Sequence, residues 1–191
     1  MIRAFIALTL DAKVIEKIAD TSNQLRPEIS AVRWVAPANF HLTLKFLGGI
    51  DEALVEPIEG RLREQLRLFP RFSINAKGLG VFPNPKQPRV LWVGLTGDRL
   101  VALASRVESA LQQLGFTPET RKFTPHLTIG RWRQAELAPG SLIQQLANWR
   151  IYEFGESNVE SVNLIQSVLK PTGASYNQLA TVPLSAERTT Q

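Results

Sequence analysis

Four residues, His41, Leu42, Thr43 and Leu44, recur 85 positions later as His126, Leu127, Thr128 and Ile129, and the two copies use both histidines in the chain. Side chains of a β-strand alternate between its faces, so His41 and Thr43 share one face while Leu42, Leu44 and Phe46 take the other. The same parity sets His126 and Thr128 against Leu127 and Ile129. Each segment therefore offers an imidazole and a hydroxyl on one side and anchors itself in a core on the other. A fold for this chain has to place two such strands.

The repetition extends beyond the histidines. Ile2 to Leu8 matches Arg89 to Leu95 at an offset of 87 residues. Each half reads strand, helix, histidine strand, helix, further strand. We read this as an α+β fold in one domain, 1–191, whose internal repeat (about 2–85 and 89–184) makes two pseudo-symmetric lobes around a central cleft. Each lobe is expected to be an antiparallel sheet with helices on its outer face, the histidine strands facing each other across the cleft. Whether each half makes one lobe, or the halves exchange strands, stays open from the sequence.

Along the chain, Asp11 is placed to cap a helix reaching about Leu25, with Pro27 ending it. Val32 to Val35 is extended, and the first histidine strand runs from Phe40 to Leu47 before Gly48 and Gly49 close it. Asp51 caps a helix carrying Leu54, Val55, Ile58, Leu62 and Leu66. Phe72 to Phe82 reads as a strand with a glycine-marked bulge, and the tract Pro83 to Pro88 as a rigid turn. Asp98 to Leu114 is helical, and the second histidine strand spans about Pro125 to Trp132. A helix over Ser141 to Trp149 precedes strands at Tyr152 to Phe154, Val159 to Lys170 and Tyr176 to Leu184. The last seven residues read as a frayed tail.

Composition narrows the chemistry. The absence of cysteine excludes disulfides, thiolate metal sites and cysteine nucleophiles. No apolar run approaches the roughly 18 residues of a membrane span, and Met1 to Leu10, interrupted by Asp11, reads as a first strand rather than a signal peptide. The cytoplasm is the expected compartment. A net charge of +5 and a pI near 9.9 favour an anionic partner such as RNA.

Two imidazoles on one cleft suit paired acid and base catalysis, because histidine titrates near neutrality and one ring can donate a proton while the other accepts one. The threonine two residues on shares the strand face and can donate a hydrogen bond to a phosphoryl oxygen held between the rings. The pattern thus fits a clamp for a phosphodiester undergoing in-line displacement. Two histidines without a carboxylate cluster fall short of a usual metal shell, so neither metal nor other cofactor is expected. A serine hydrolase fits poorly, since no Gly-x-Ser-x-Gly elbow occurs.

With these motifs in place, the chain resembles the two-histidine phosphoesterase superfamily, and within it the RNA 2′,3′-cyclic phosphodiesterases, also described as LigT-like or 2′-5′ RNA ligases. The resemblance covers nearly the whole chain. It rests on Phe5 to Leu8, on RWVAPANFHLTLKFLG (Arg33 to Gly48), on GLGVFPNPKQPRVLWVG (Gly78 to Gly94) and on RKFTPHLTIGR (Arg121 to Arg131). It implies a bilobal fold and metal-independent opening of the cyclic phosphate at an RNA 3′ end to a 2′-phosphomonoester, with His41 as proton donor and His126 as acceptor. In the reverse sense such proteins join RNA ends through a 2′-5′ linkage. The implied partners are RNA or oligonucleotide ends, met by a monomer with no membrane and no protein partner. The alternatives are a phosphodiesterase for small cyclic nucleotides or 2′-5′ oligoadenylate, and an RNA-end binding module without turnover.

Strand parity adds substrate-binding candidates. Phe5 lies on the cleft face of the first strand and the repeat places Trp92 at the equivalent position, so either aromatic could stack a base or fill inter-lobe core. Arg131 follows Gly130, where the second histidine strand is expected to end, and is then free to turn toward the cleft and a phosphate. Lys45 has cleft parity but lies far along its strand. The series Arg61, Arg63, Arg67 and Arg71 reads as a solvated helix face.

Overall fold

The computed structural model describes residues 1–29, 31–132, 140–171 and 173–186. In chain order the elements are β1 (Ile2–Leu8), α1 (Ala12–Leu25), β2 (Val32–Trp34), β3 (Leu42–Ile50), α2 (Val55–Leu66), β4 (Phe72–Phe82), β5 (Val90–Thr96), α3 (Leu100–Gln112), β6 (His126–Trp132), α4 (Gly140–Asn148), β7 (Glu153–Val159), β8 (Ser161–Lys170) and β9 (Gly173–Pro183). The helices form where apolar residues recur every three or four positions. Val14, Ile18 and Leu25 are buried on α1, Ile58, Leu62 and Leu66 on α2, and Leu100, Leu103, Val107 and Leu111 on α3.

All strand pairings are antiparallel, in the order β7-β4-β5-β6-β3-β1-β8-β9, with β2 alongside β6. The open question about the halves is thereby answered: they exchange strands. Read outward from the centre, one lobe is β3-β1-β8-β9 and the other β6-β5-β4-β7. Strand β4, from the first half of the sequence, pairs with β5, while β8, from the second half, pairs with β1. Helices cross over as well, since α1 packs against β7 and α3 against β3. The two lobes are one continuous curled sheet rather than two sheets apart, joined where Leu42 on β3 registers with Leu127 on β6. Both leucines are buried in the main core, at 1% and 0% exposure, directly between the two His and Thr pairs.

Several local expectations change. Strand β3 runs through Gly48 and Gly49 to Ile50, because both glycines keep a register partner on β1. Asp11 stands at the start of α1 but leaves its N–H groups uncapped; its carboxylate instead accepts from the backbone N–H and side-chain amide of Asn158, at 2.9 and 3.2 Å, and so ties α1 to β7. Asp51 caps a single 3₁₀ turn that leads into α2. Strand β7 extends to Val159, well past Phe154, and β8 begins after the break at Glu160. The expected tail does not begin at Ser185, which exchanges backbone hydrogen bonds with Phe69 and Arg71 at 2.8 and 2.9 Å. Residues 187–191 lie outside the described residues. No helix among the described residues is long and apolar enough to cross a membrane.

The joint between the lobes generates a stability test. Leu127→Ala is expected to cost about 2–5 kcal/mol, the range for a buried leucine. Ile143→Ala, at a side chain 56% exposed, should stay within about 0.5 kcal/mol. Urea denaturation midpoints of the two variants check this, and equal midpoints would mean that the joint carries no special load.

Candidate active site

The same backbone irregularity occurs in both histidine strands. On β3, Thr43 registers with Ala7 and Lys45 with Ile6, leaving Leu44 as an extra residue. On β6, Thr128 registers with Trp92 and Gly130 with Leu91, leaving Ile129 extra. Each bulge reverses the parity of the residues beyond it. Leu44 and Lys45 both turn to the helix side, where Lys45, its side chain 5% exposed, meets Glu108 of α3 at 2.7 Å and the Thr117 carbonyl at 2.9 Å. Ile129 and Gly130 turn inward alike, and only glycine fits the second place, since a Cβ there would lie 2.5 Å from Val32 Cγ1.

Past the bulges, Phe46 and Arg131 come back to the histidine face. This corrects three expectations. Phe46 is not a core residue: it registers with Phe5, lies 6.0 Å from that ring and is 67% exposed. Lys45 does not face the cleft. Strand β6 does not end at Gly130 but continues to Trp132, and it is the bulge that presents Arg131.

Both imidazoles are oriented in one way. His41 Nδ1 lies 2.7 Å from the Asn39 carbonyl and His126 Nδ1 lies 2.7 Å from the Thr124 carbonyl. A carbonyl oxygen only accepts, so each Nδ1 carries the proton and each Nε2 is left for chemistry. The Asn39 carbonyl is itself held, because the Asn39 side-chain amide donates to the Ala174 carbonyl at 2.8 Å. His41 Nε2 lies 3.1 Å from Thr43 Oγ1. Thr128 is half-buried on the matching face of β6.

Each imidazole is flanked by two aromatic rings. Around His41 stand Phe5 and Tyr176, at centroid distances of 4.8 and 5.2 Å; around His126 stand Phe82 and Trp92, at 5.0 and 6.4 Å. Phe5 is 3% exposed and belongs, with Ala7 and Ile165, to a small apolar cluster of its own on the cleft face. It braces His41 and has no open face for a base. Trp92 lies flat on the β4 backbone, where a Cβ on Gly80 would come within 2.2 Å of its ring. Sequence reasoning misses Tyr176 and Phe82. Phe82 sits within the Gly78 to Gly94 stretch that carries the resemblance, but Tyr176 has no signal other than strand parity.

Electrostatics single out Arg131. Burial lowers the pKa of both histidines from 6.5, and the Arg131 guanidinium lowers each further. The charge of His126 lowers His41 as well, and His41 is the more deeply buried of the two. Tyr176 is pushed up by burial and drawn back by Arg131. One exposed cation thus faces His41, His126 and Tyr176 together, the arrangement that an anion between the imidazoles would complete. Among the described residues no three His, Asp or Glu side chains converge as metal ligands. A cavity of about 620 Å³ lies elsewhere, lined by Arg71, Asp98, Arg99 and Glu160 among others, and touches neither histidine strand. The arginines on α2 are a solvated face as expected, with Arg61 paired to Glu64 and Arg63 to Glu59.

Known proteins share this architecture. The chain matches the family model of LigT-like phosphoesterases twice, over residues 8–92 and 93–176. A Methanothermobacter thermautotrophicus protein named RNA 2′,3′-cyclic phosphodiesterase is 35% identical over 183 residues, 93% of this chain and 96% of its own length. A Thermus thermophilus crystal structure superposes with a TM-score of 0.81 at 28% identity, covering 97% of this chain and all of that one. E. coli LigT complexed with 3′-AMP superposes with a TM-score of 0.76 at 26% identity, over 96% of this chain and 98% of that one.

With only two histidines in the chain, their titrations are separable by NMR. Both midpoints should fall below 6.5, and Arg131→Gln should move both upward by removing a repelling charge. Because the folded state then binds fewer protons than the unfolded chain, the stability from this source is complete above pH 6.5 and is lost as pH falls through the folded pKa values. Midpoints that ignore the Arg131 substitution would contradict the placement of its charge.

Proposed function

The chain belongs to the LigT-like phosphoesterase family, and from that premise we propose that it hydrolyses the 2′,3′-cyclic phosphate at RNA 3′ ends to a 2′-phosphomonoester, with His41 and His126 as acid and base. The observation that carries this reading is the duplicated lock. Two imidazoles, each with Nδ1 bound to a carbonyl two residues back, are brought together at the Leu42 and Leu127 joint, with His41 Nε2 beside the Thr43 hydroxyl at 3.1 Å and both Nε2 atoms turned away from those carbonyls.

In the step we propose, His126 Nε2 takes a proton from water and the water oxygen bonds to phosphorus. The bond from phosphorus to the 3′ oxygen breaks, and His41 Nε2 gives that oxygen its proton. The Thr43 and Thr128 hydroxyls and Arg131 donate to the non-bridging oxygens, where negative charge concentrates. Replacing water with an RNA 5′-hydroxyl gives a 2′-5′ linkage by the same transfers. Donor and acceptor are assigned by the family resemblance, and a phosphate bound between the rings favours the protonated form of the donor that this assignment requires.

Phe46 is the base contact in this reading. It is exposed on the reacting face one ring beyond Phe5, and stacking a base on an aromatic contributes about 1–3 kcal/mol. No metal enters the mechanism, because the two Nε2 atoms, the hydroxyls and the guanidinium cover each proton and charge that has to move. The protein acts as a cytoplasmic monomer.

The experiment is turnover of an oligonucleotide 2′,3′-cyclic phosphate in excess EDTA, with the product identified. Activity should persist and yield the 2′-phosphate. Either His→Ala substitution should cost on the order of 10²–10⁴ in rate, and Phe46→Ala should chiefly raise KM. Loss of activity on chelation, restored by a divalent ion, would sink the metal-free mechanism. Binding retained without turnover would make the protein an RNA-end binding module. A preference for small cyclic nucleotides over RNA ends would reassign the substrate.

A further inference from the structure

Arg33 on β2 registers directly with Arg131 on β6. Residues opposed in an antiparallel ladder share a face, with Cβ atoms about 4.5–5.5 Å apart, so two arginine side chains leave the sheet from neighbouring positions on the reacting face. Both are exposed. Neither has an ion pair or a side-chain hydrogen bond among the described residues. Like charges opposed in a sheet are destabilising, and among the described residues no carboxylate stands between these two, as Glu59 does for Arg63 and Glu64 for Arg61. An unmatched pair set against itself is completed by an anion from outside.

The two arginines do not serve one anion. Arg131 acts on His41, His126 and Tyr176, whereas the charge of Arg33 figures at none of them. Arg33 reaches the other way. One of its terminal nitrogens lies 3.3 Å from where a Cβ on Gly173 would sit, at the hairpin between β8 and β9. The exposed Lys170 registers with Gly173 on that hairpin, so the far side of the space is also cationic. Cationic side chains thus lead outward from the histidines, Arg131 first and then Arg33 and Lys170 at the β8–β9 hairpin.

In a nucleotide chain whose cyclic phosphate lies between the imidazoles, the next anion along is the phosphate on the 5′ side of the terminal nucleoside. We propose that Arg33 binds this second phosphate, in the planar two-point fashion that suits guanidinium to phosphate, and thereby makes the protein prefer nucleotide chain ends to a bare nucleoside 2′,3′-cyclic phosphate. The inference rests on the hydrolase reading above and adds a specificity residue to it.

The test compares kcat/KM on three substrates with one base: a nucleoside 2′,3′-cyclic phosphate, the same compound bearing a 5′-phosphate, and a dinucleotide ending in the cyclic phosphate. The wild-type protein should favour the two that carry the extra phosphate. Arg33→Gln should shrink that preference at least about tenfold, the loss expected for one charge-assisted contact, and Arg33→Lys should restore part of it. Arg131→Gln should slow all three alike and leave the preference standing, which a general weakening of the fold by Arg33→Gln could not mimic. A preference unchanged by Arg33→Gln, with all three substrates turned over, overturns this inference alone. Failure of the wild-type protein to open any of them overturns the hydrolase reading and this inference with it.

Discussion

The site depends on the contact between Leu42 and Leu127. Each leucine lies between a histidine and its threonine in the sequence, and each is buried in the common core. Parity does the rest, since a buried residue in a strand forces its neighbours on both sides to the opposite face. Burying the pair under one joint therefore sets two imidazoles and two hydroxyls on the same side of the sheet without any of the four having to hold the fold together. The rings are then fixed by the backbone, through the Asn39 and Thr124 carbonyls. For the proposed reaction such geometry is pre-organised, so little would have to be ordered when substrate arrives.

A nearly symmetric frame carries an asymmetric site. The bulges after Thr43 and Thr128 fall at matching places in the repeat, yet one returns Phe46 to the reacting face and the other Arg131. One histidine strand thus offers a ring and the other a charge, which suits a nucleotide, a molecule with a base at one end and a phosphate at the other. The buried residues under the bulges differ in the same way. Lys45 is neutralised by Glu108 of α3, where the second copy has Gly130 packed against Val32.

Much of this is legible in the sequence, and the remainder is hidden for physical reasons. The two motifs, the strand and helix order and the four central side chains come from spacing, because alternation over four residues is enough to sort faces. Alternation fails at a bulge, which adds a residue without changing composition, so it assigns Phe46 to the core, Lys45 to the cleft and Arg131 to a place past the strand end. The exchange of β4 and β8 between lobes is equally hidden, as both strands alternate alike and neither names its partner. Asp11 shows a further limit: an acid before a helix reads as a cap, but here Asn158 of β7 competes for its carboxylate and takes it.

The central claim is that the two imidazoles work on one phosphorus atom as acid and base, and the pH dependence of kcat/KM tests it most directly. Both histidines titrate below 6.5 in the free protein, so the profile should be bell-shaped with its maximum on the acid side of neutrality. Each limb should belong to a different ring, and each single His→Ala protein should keep one limb and lose the other. A flat profile, or a single limb that survives both substitutions, would contradict the account.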